Sequence, residues 1–493
     1  MRYILAFDCG TTAVKAVCIE CDTEKLVGNG KTDCKIWKPH PGWAEQDAED
    51  MWQAVCRASR QCVASIDPGD VEGIIFSAPW KHIIPVDEHG VPLRKSIIWM
   101  DARAKDQAEV LNSRMGRFVG TGQEYWPRLM WLKEHEPEVW SRAGYILGIN
   151  SYFKFRATGT FSTECSDDFV HTPNPAVQAH YDRVLSAAGL TEDLEKFPQS
   201  RPSSDCVGSL TAEAAKEMGL SEGVPVFAGF SDLTAISVGC GCVKEGMMHI
   251  YLGTSSWLAE VQRDRMENYA SLYFTQDPKH ESAVFSLQTG ARAYEWIIEQ
   301  FYGHEYQTMG EKVFDYVNRE VAEIAPGSQG LIATHWLNGE LPPLAKNAKA
   351  VFFNIVEQHD RRYFARAMLE SLCYTHRWSL EKVRAHHGIL PKEIRAVGGG
   401  ATSDVWMQML ADVLQIPVRV PKNPRYVGAM GAYYCALIGL GRLPAYGAIP
   451  DEGSRLFEPQ AKNAEVYEKM SGVYQDLYPT LKGLYDRLDG YFY

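Results

Sequence analysis

Ile4-Leu5-Ala6-Phe7-Asp8-Cys9-Gly10-Thr11-Thr12 is an apolar run that breaks into a turn, and Val14 to Ile19 is rich in strand-forming residues again. Two such runs joined by turn residues predict a hairpin. A tight strand–Gly–Thr–Thr–strand turn directs successive backbone N–H groups and hydroxyls to one side. That is a concavity suited to an anion such as a terminal phosphate, with Gly10, Thr11 and Thr12 as its lining. Asp8 ends the first strand at the same place, where a carboxylate can hold Mg²⁺ directly or through water. Lys15 lies on the return strand, within reach of a phosphate. The plain alternative is a hairpin with a turn-forming Asp-x-Gly, and this segment alone does not separate the two. It is not a Walker loop, which needs G-x-x-x-x-G-K-[ST] opening a helix.

The pattern returns in the middle of the chain as His249-Ile250-Tyr251-Leu252-Gly253-Thr254-Ser255-Ser256. Gly10 and Gly253 are 253 − 10 = 243 positions apart in a chain of 493 residues, close to half its length. The spacing predicts two related domains, 1–245 and 246–493, each opening on a strand and a phosphate-facing turn. The boundary is expected near Gly241 to Gly246. Gly253, Thr254 and Ser255 repeat the logic of the first turn. Without a low-complexity linker, the two domains are expected to pack with a hinge between them.

Other stretches fill in the α/β pattern. Asp47 to Ala64 reads as a helix with Met51, Val55 and Val63 near one face. Ile74 to Ser77, Ile97 to Trp99 and Pro225 to Gly229 read as strands, and His359 to His387 as a long helix. Ala396-Val397 runs into Gly398-Gly399-Gly400-Ala401-Thr402-Ser403, with a helix expected over Asp404 to Val413. Glycines permit close backbone approach, and a helix N-terminus favours anionic or polar groups, which suits a nucleotide. The alternative is a βα turn with Ser403 or Thr402 as N-cap. In Ala228-Gly229-Phe230-Ser231-Asp232 a carboxylate follows a strand and a glycine turn. It is placed to be a general base or, more plainly, to cap a Leu233–Val238 helix.

Composition narrows the class. With 62 acidic and 50 basic residues the net charge is −12, unlike the basic footprint of a nucleic-acid binder or a polybasic membrane patch. The N-terminus lacks the parts of a signal peptide, and no apolar run approaches the length of a membrane span. A cytoplasmic location is expected. The 12 cysteines are then read as reduced, and Cys18 and Cys21 as residues flanking a turn rather than metal ligands.

In this order and spacing the elements resemble the FGGY carbohydrate kinases, of the actin, hexokinase and heat-shock-chaperone ATPase superfamily. The resemblance runs from about Tyr3 to Leu440. Trp99-Met100-Asp101-Ala102-Arg103 is similar to the family's W-x-D-x-R, and Trp336-Leu337-Asn338-Gly339-Glu340-Leu341-Pro342 to its W-L-x-G-E-x-x-P. Arg366-Ala367-Met368-Leu369-Glu370 resembles its R-A-x-x-E helix. Gly399 to Ser403, with Trp406, Gln408 and Asp412, resembles the adenosine-side signature, which Gly428-Ala429-Met430-Gly431-Ala432 continues.

The resemblance implies an α/β fold of two ribonuclease H-like (actin-like ATPase) domains, with ATP and sugar in the cleft between them. It implies Mg²⁺ near Asp8, phosphates at Gly10, Thr11, Gly253 and Thr254, adenosine at Gly399, Gly400, Ala401 and Ser403, and Asp232 as catalytic base. The implied function is ATP-dependent phosphorylation of a terminal hydroxyl of a small ketose or polyol, as in xylulose kinases. The alternatives are a kinase for glycerol, a tetritol or a hexulose, and a catalytically silent nucleotide-binding regulator. A homodimer is expected on family grounds alone.

Departures from the family fall on the sugar side. Pro79-Trp80-Lys81-His82 stands where xylulose kinases commonly carry Q-M-H-G and glycerol kinases an Arg-Glu pair, and Arg128 stands where Lys is usual. Trp80, Lys81, His82 and Asp101, with Asp232, are expected to line the substrate pocket. Trp80 would pack on a sugar face and Lys81 would bond a hydroxyl or carboxylate. Alternatively, Lys81 and His82 are solvated loop residues.

Overall fold

The computed structural model describes residues 1–172, 174–262, 271–274, 280–340, 345, 347–388 and 390–489. The chain forms two compact units. Met1–Val243 with Gly428–Ile449 belongs to the first, and Lys244–Tyr273, His280–Val427 and Pro450–Tyr493 form the second.

The first unit is built on β1 (Tyr3–Cys9), β2 (Ala13–Glu20), β3 (Leu26–Asp33), β4 (Val71–Ala78), β5 (Cys206–Ser209) and β6 (Pro225–Ser231). Their order is β5-β6-β4-β1-β2-β3. β1, β2 and β3 are antiparallel neighbours, while β4 and β6 run parallel to β1. β1 reads as an unbroken apolar run because it is central and covered on both faces; Ile4, Leu5, Ala6 and Phe7 are all fully buried. Helix α1 (Ala48–Val63) is capped by Asp47, which accepts from the Glu49 and Asp50 N–H groups. It buries Met51, Val55 and Val63. It lies so close to β3 that a Cβ at Gly28 or Gly30 would sit 2.1 Å from the Cys62 or Ala58 carbonyl oxygen.

Further helices of this unit are α2 (Tyr125–His135), α3 (Ile149–Thr158) and α4 (Asp232–Gly239). A separate core under α2 gathers Ile83, Ile97, Leu129, Trp131 and Phe169. The strand expected over Ile97 to Trp99 is shorter, covering Ser96–Ile97. The Ile98 carbonyl goes instead to the Arg128 guanidinium, and Trp99 is exposed.

The second unit contains β7 (Met248–Leu252), β8 (Ser256–Gln262), β9 (Ser271–Phe274), β10 (Glu281–Leu287), β11 (Ile394–Val397), β12 (Val418–Val420) and β13 (Arg455–Phe457), in the order β9-β10-β8-β7-β11-β12-β13. β7, β8 and β10 are antiparallel neighbours, and β11 and β12 continue parallel to β7. The run β10-β8-β7-β11-β12 therefore repeats β3-β2-β1-β4-β6, and β13 and β5 are both antiparallel strands beyond the parallel limb. The duplication expected from two short matches extends to the strand order and directions of whole sheets, the ribonuclease H-like pattern. Helix α5 (Arg361–His387) starts two residues after His359 because Asp360 caps it, accepting from Arg362 N–H. Helix α6 (Asp404–Leu414) follows the triple glycine.

One boundary is corrected. The first division, at 243/244, falls in the expected region, but residues 428–449 do not stay with the second half. Helix α7 (Val427–Gly439) packs on the first unit. A Cβ at Gly431 would lie 1.8 Å from the Ala235 carbonyl oxygen on α4. Tyr433 Oη donates to the Cys21 carbonyl at 3.0 Å.

Candidate active site

The β1–β2 turn assembles its predicted residues in one place. Asp8 pairs with Lys15 in the ladder, and their side chains meet at 3.5 Å. The Gly10 N–H donates to the Ala13 carbonyl at 2.8 Å; a side chain there would crowd that oxygen at 3.2 Å. Thr11 accepts from the Trp99 indole N–H at 2.9 Å, and its carbonyl accepts from Gln46 at 2.8 Å. Thr12 is exposed. The motif from Gly428 onward, read in the sequence as part of the adenosine side, starts beside Asp8. A Cβ on Gly428 would lie 3.4 Å from Asp8 Oδ1.

Asp232 is presented by a bulge. The β6–β4 register shifts between Phe227 and Phe230. Gly229 there has φ +76°, and a Cβ would meet the Phe76 carbonyl oxygen at 2.1 Å. Only glycine fits such a position, and bulges commonly re-aim a strand end. Ser231 takes the N-cap position and Asp232 is the first helical residue, so the cap reading of Asp232 does not hold. Its Oδ1 accepts from the Leu233 N–H at 2.8 Å. Burial pushes its carboxyl up to about 7 against the pull of the Leu233 bond, and the Asp8 charge adds to the rise.

The Trp80-Lys81-His82 loop follows β4. His82 is fully buried, with Nδ1 3.4 Å from Ser96 Oγ, and burial lowers it to about 3, so it stays neutral. Asp101 is also fully buried. It accepts from the Ala44 N–H, and Arg103 binds it through N–H (3.0 Å), Nε (2.9 Å) and a terminal nitrogen (2.8 Å). Both residues brace the loops rather than line a pocket, which corrects the expectation for them. Lys81 is not solvated either. It is half-buried, its ammonium lies 3.7 Å over the Trp80 ring, and burial lowers it to about 8. Arg128 explains its own departure from the family pattern. Its planar fork reaches the Lys81 (2.8 Å), Ile98 (2.6 Å) and Glu124 (3.2 Å) carbonyls at once, which a lysine's point charge cannot do.

In the second unit the β7–β8 turn leaves Thr254 and Ser255 exposed. Gly290 N–H and Ala291 N–H hold the Thr254 and Gly253 carbonyls at 3.0 and 2.7 Å. The triple glycine divides by cause. Gly398 has φ +94° and would meet the Leu252 carbonyl oxygen at 2.6 Å, and Gly400 would meet the Trp406 ring at 2.5 Å. Gly399 is exposed and has open space where a Cβ would go, so packing does not demand a glycine there. The Ala401 side chain is fully buried and cannot touch a ligand, another correction. Ser403 is the N-cap of α6, accepting from Trp406 N–H at 3.3 Å.

The remaining family motifs are structural. Arg366 and Glu370 form a buried pair at 2.8 Å that receives the Gly327 N–H and the Ser328 hydroxyl. Trp336 and Glu340 are buried; Leu341 and Pro342 lie outside the described residues. Sequence reasoning missed Ser166 and Asp167, whose hydrogen bonds to Ser231 N–H and Lys81 N–H join segments far apart in the chain.

Two ribonuclease H-like sheets of one design, each with a hydroxyl-rich strand turn, define the actin-like ATPase fold. The chain belongs to the FGGY family of carbohydrate kinases, whose N-terminal domain matches residues 3–239 and whose C-terminal domain matches residues 248–440. It is 27% identical to a xylulose kinase of Staphylococcus epidermidis over 98% of this chain and 97% of that one. It is 26% identical to the L-xylulose/3-keto-L-gulonate kinase of Escherichia coli over 99% of both. The crystal structure of a gluconate kinase from Lactobacillus acidophilus superposes with a TM-score of 0.83 at 21% identity, covering 99% of this chain and 100% of that one. The protein is a kinase that transfers phosphate from ATP to a sugar hydroxyl. Among the described residues no helix is long and apolar enough to cross a membrane.

Proposed function

We propose that Asp232 is the general base for phosphorylation of a terminal hydroxyl on a small ketose. The observation that carries this is a carboxyl at a bulged strand end, raised to about 7 by burial and by the charge of Asp8. A base with a pKa near neutrality combines availability with proton affinity. The Asp232 carboxylate takes the acceptor's proton while the hydroxyl oxygen forms its bond to the γ-phosphorus of ATP. The bond to the bridging oxygen breaks, and its electron pair leaves on ADP.

The residues around Asp8 fit a divalent cation. Its carboxylate is part-exposed and borders the Gly10-Thr11-Thr12 turn. Mg²⁺ there would neutralise phosphate charge. Lys15 would share that task, and Gly253, Thr254 and Ser255 would bind phosphate from the second unit. Gly399, Gly400 and the Ser403 turn would approach adenosine by backbone. On the acceptor side, Trp80 and Lys81 are the residues left to contact sugar once His82 and Asp101 are assigned to the frame.

The names of the relatives favour xylulose or a similar ketose as acceptor, ahead of glycerol, a tetritol or a hexulose. A silent nucleotide-binding regulator would have no use for a base at Asp232, so its presence favours an active enzyme. A cytoplasmic homodimer belongs to this reading too, and sedimentation velocity checks the dimer.

ADP release over a panel of xylulose, L-xylulose, 3-keto-L-gulonate, gluconate, hexuloses, tetritols and glycerol identifies the acceptor. With the best of them, Asp232→Asn is expected to lower kcat by about 10²–10⁴-fold while ATP affinity is kept. Turnover close to that of the unmodified enzyme would refute the base assignment.

A further inference from the structure

Behind the strand end that carries Asp232, one segment touches both the base and the acceptor loop. Ser166 Oγ accepts from the Ser231 N–H at 2.7 Å and donates to Glu164 Oε1 at 2.9 Å. Glu164 Oε2 accepts from the Ser166 N–H at 2.6 Å, which closes the ring. Both side chains are fully buried, so water does not compete for these bonds. The hydroxyl has one arrangement: its proton goes to Glu164 and its lone pair to Ser231, the residue before Asp232. The backbone at this point leaves the β6 bulge and enters α4, so the direction of one peptide sets the direction of the carboxylate.

The next residue reaches the other way. Asp167 Oδ1 accepts from the Lys81 N–H at 2.8 Å. Lys81 has φ +60°, a conformation uncommon for a residue with a side chain. The Asp167 bond and the Arg128 bond to the Lys81 carbonyl hold the peptides on both sides of Lys81. Burial and the neighbouring Glu164 charge push the Asp167 carboxyl well above the usual range. An asparagine, neutral and with the same acceptor oxygen, is therefore a close substitute.

We infer that Ser166 and Asp167 are positioning residues for the phosphoryl transfer, Ser166 aiming Asp232 through the Ser231 peptide and Asp167 fixing the backbone that presents Trp80 and Lys81 to the acceptor. The inference rests on Asp232 being the base. Adjacent residues then control different kinetic constants, which a merely structural role does not produce.

The experiment measures kcat and both KM values with ATP and the best acceptor of the panel above. Ser166→Ala is expected to lower kcat about tenfold or more, with both KM values within about twofold, and Ser166→Thr to restore it. Asp167→Ala is expected to raise the acceptor KM about tenfold with ATP KM unchanged, and Asp167→Asn to keep it near that of the unmodified enzyme. Melting temperatures show whether each variant is folded. A normal kcat in Ser166→Ala, a normal acceptor KM in Asp167→Ala, or the same constants moving in both alanine variants would overturn the inference. Failure of the base assignment is read separately: turnover in Asp232→Asn removes the role of Ser166, whereas the Asp167 result stands or falls on the acceptor KM alone.

Discussion

At the scale of single residues, Asp232 carries the most consequence. The proposed role as base, with a carboxyl near 7, predicts an acidic limb in kcat/KM close to neutrality rather than near pH 4, measured from a pH–rate profile of the free enzyme. The same shift has a cost in stability. Between the unfolded value of 3.8 and about 7 the folded protein holds a proton that the unfolded chain has released, so stability falls as pH rises through that window. Asp232→Asn removes the charge that folding must bury. Its stability at pH 8, read from thermal melts, is expected to exceed that of the unmodified protein by on the order of 1 kcal/mol after solvent screening, and the gain should vanish near pH 4. Asp232 and Asp8 stood out as candidates because each lies near the end of an apolar strand and close to a glycine. His82 and Asp101 were misread because a polar residue in a loop looks the same whether it faces solvent or a buried partner. Ser166 and Asp167 were invisible because their partners, Ser231 and Lys81, lie 65 and 86 positions away.

At the scale of elements, the strand–glycine–helix passage from β11 to α6 shows what sequence can and cannot divide. Three consecutive glycines signalled close approach, but not of what. Gly398 and Gly400 are approached by the protein itself, and Gly399 by nothing in it. Gly398→Ala is expected to destabilise the fold by about 2 kcal/mol or more, because it combines a positive φ with a backbone collision. Gly399→Ala should change stability by less than about 0.5 kcal/mol yet raise the KM for ATP. Thermal melts paired with ATP titrations separate these outcomes. Equal ATP affinity in Gly399→Ala would remove this glycine from the nucleotide site. Capping was readable at Ser403, offered by the sequence as an N-cap and found as that of α6. It was misassigned at Asp232, where the bulge at Gly229 moves the helix start so that Ser231 takes the cap.

At the scale of the whole molecule, the repeat between Ile4–Thr12 and His249–Ser256 foretold two sheets of one design. What it did not foretell is that the second half of the sequence supplies a helix to the first unit. Periodicity marks α7 as buried all round but carries no address. A fragment of residues 1–245 therefore lacks the cover that Gly431 and Gly439 fit so closely, the latter with its Cβ position 2.4 Å from the Phe227 ring. It is expected to melt about 10 °C or more below a version with residues 428–449 joined to it, as followed by circular dichroism. Equal melting would mean that α7 is dispensable to that core.

Helix α7 also bears on how such a protein can be recombined. A crossover placed at the midpoint of the gene would exchange the second sheet together with a piece of the first unit's interior, including the glycine that sits beside Asp8. The hybrid would meet a foreign surface at the strand that carries Asp8. Exchange of modules between relatives is cleaner if residues 428–449 keep their parentage with the N-terminal half, so the unit of inheritance in this fold is interleaved along the gene rather than laid end to end.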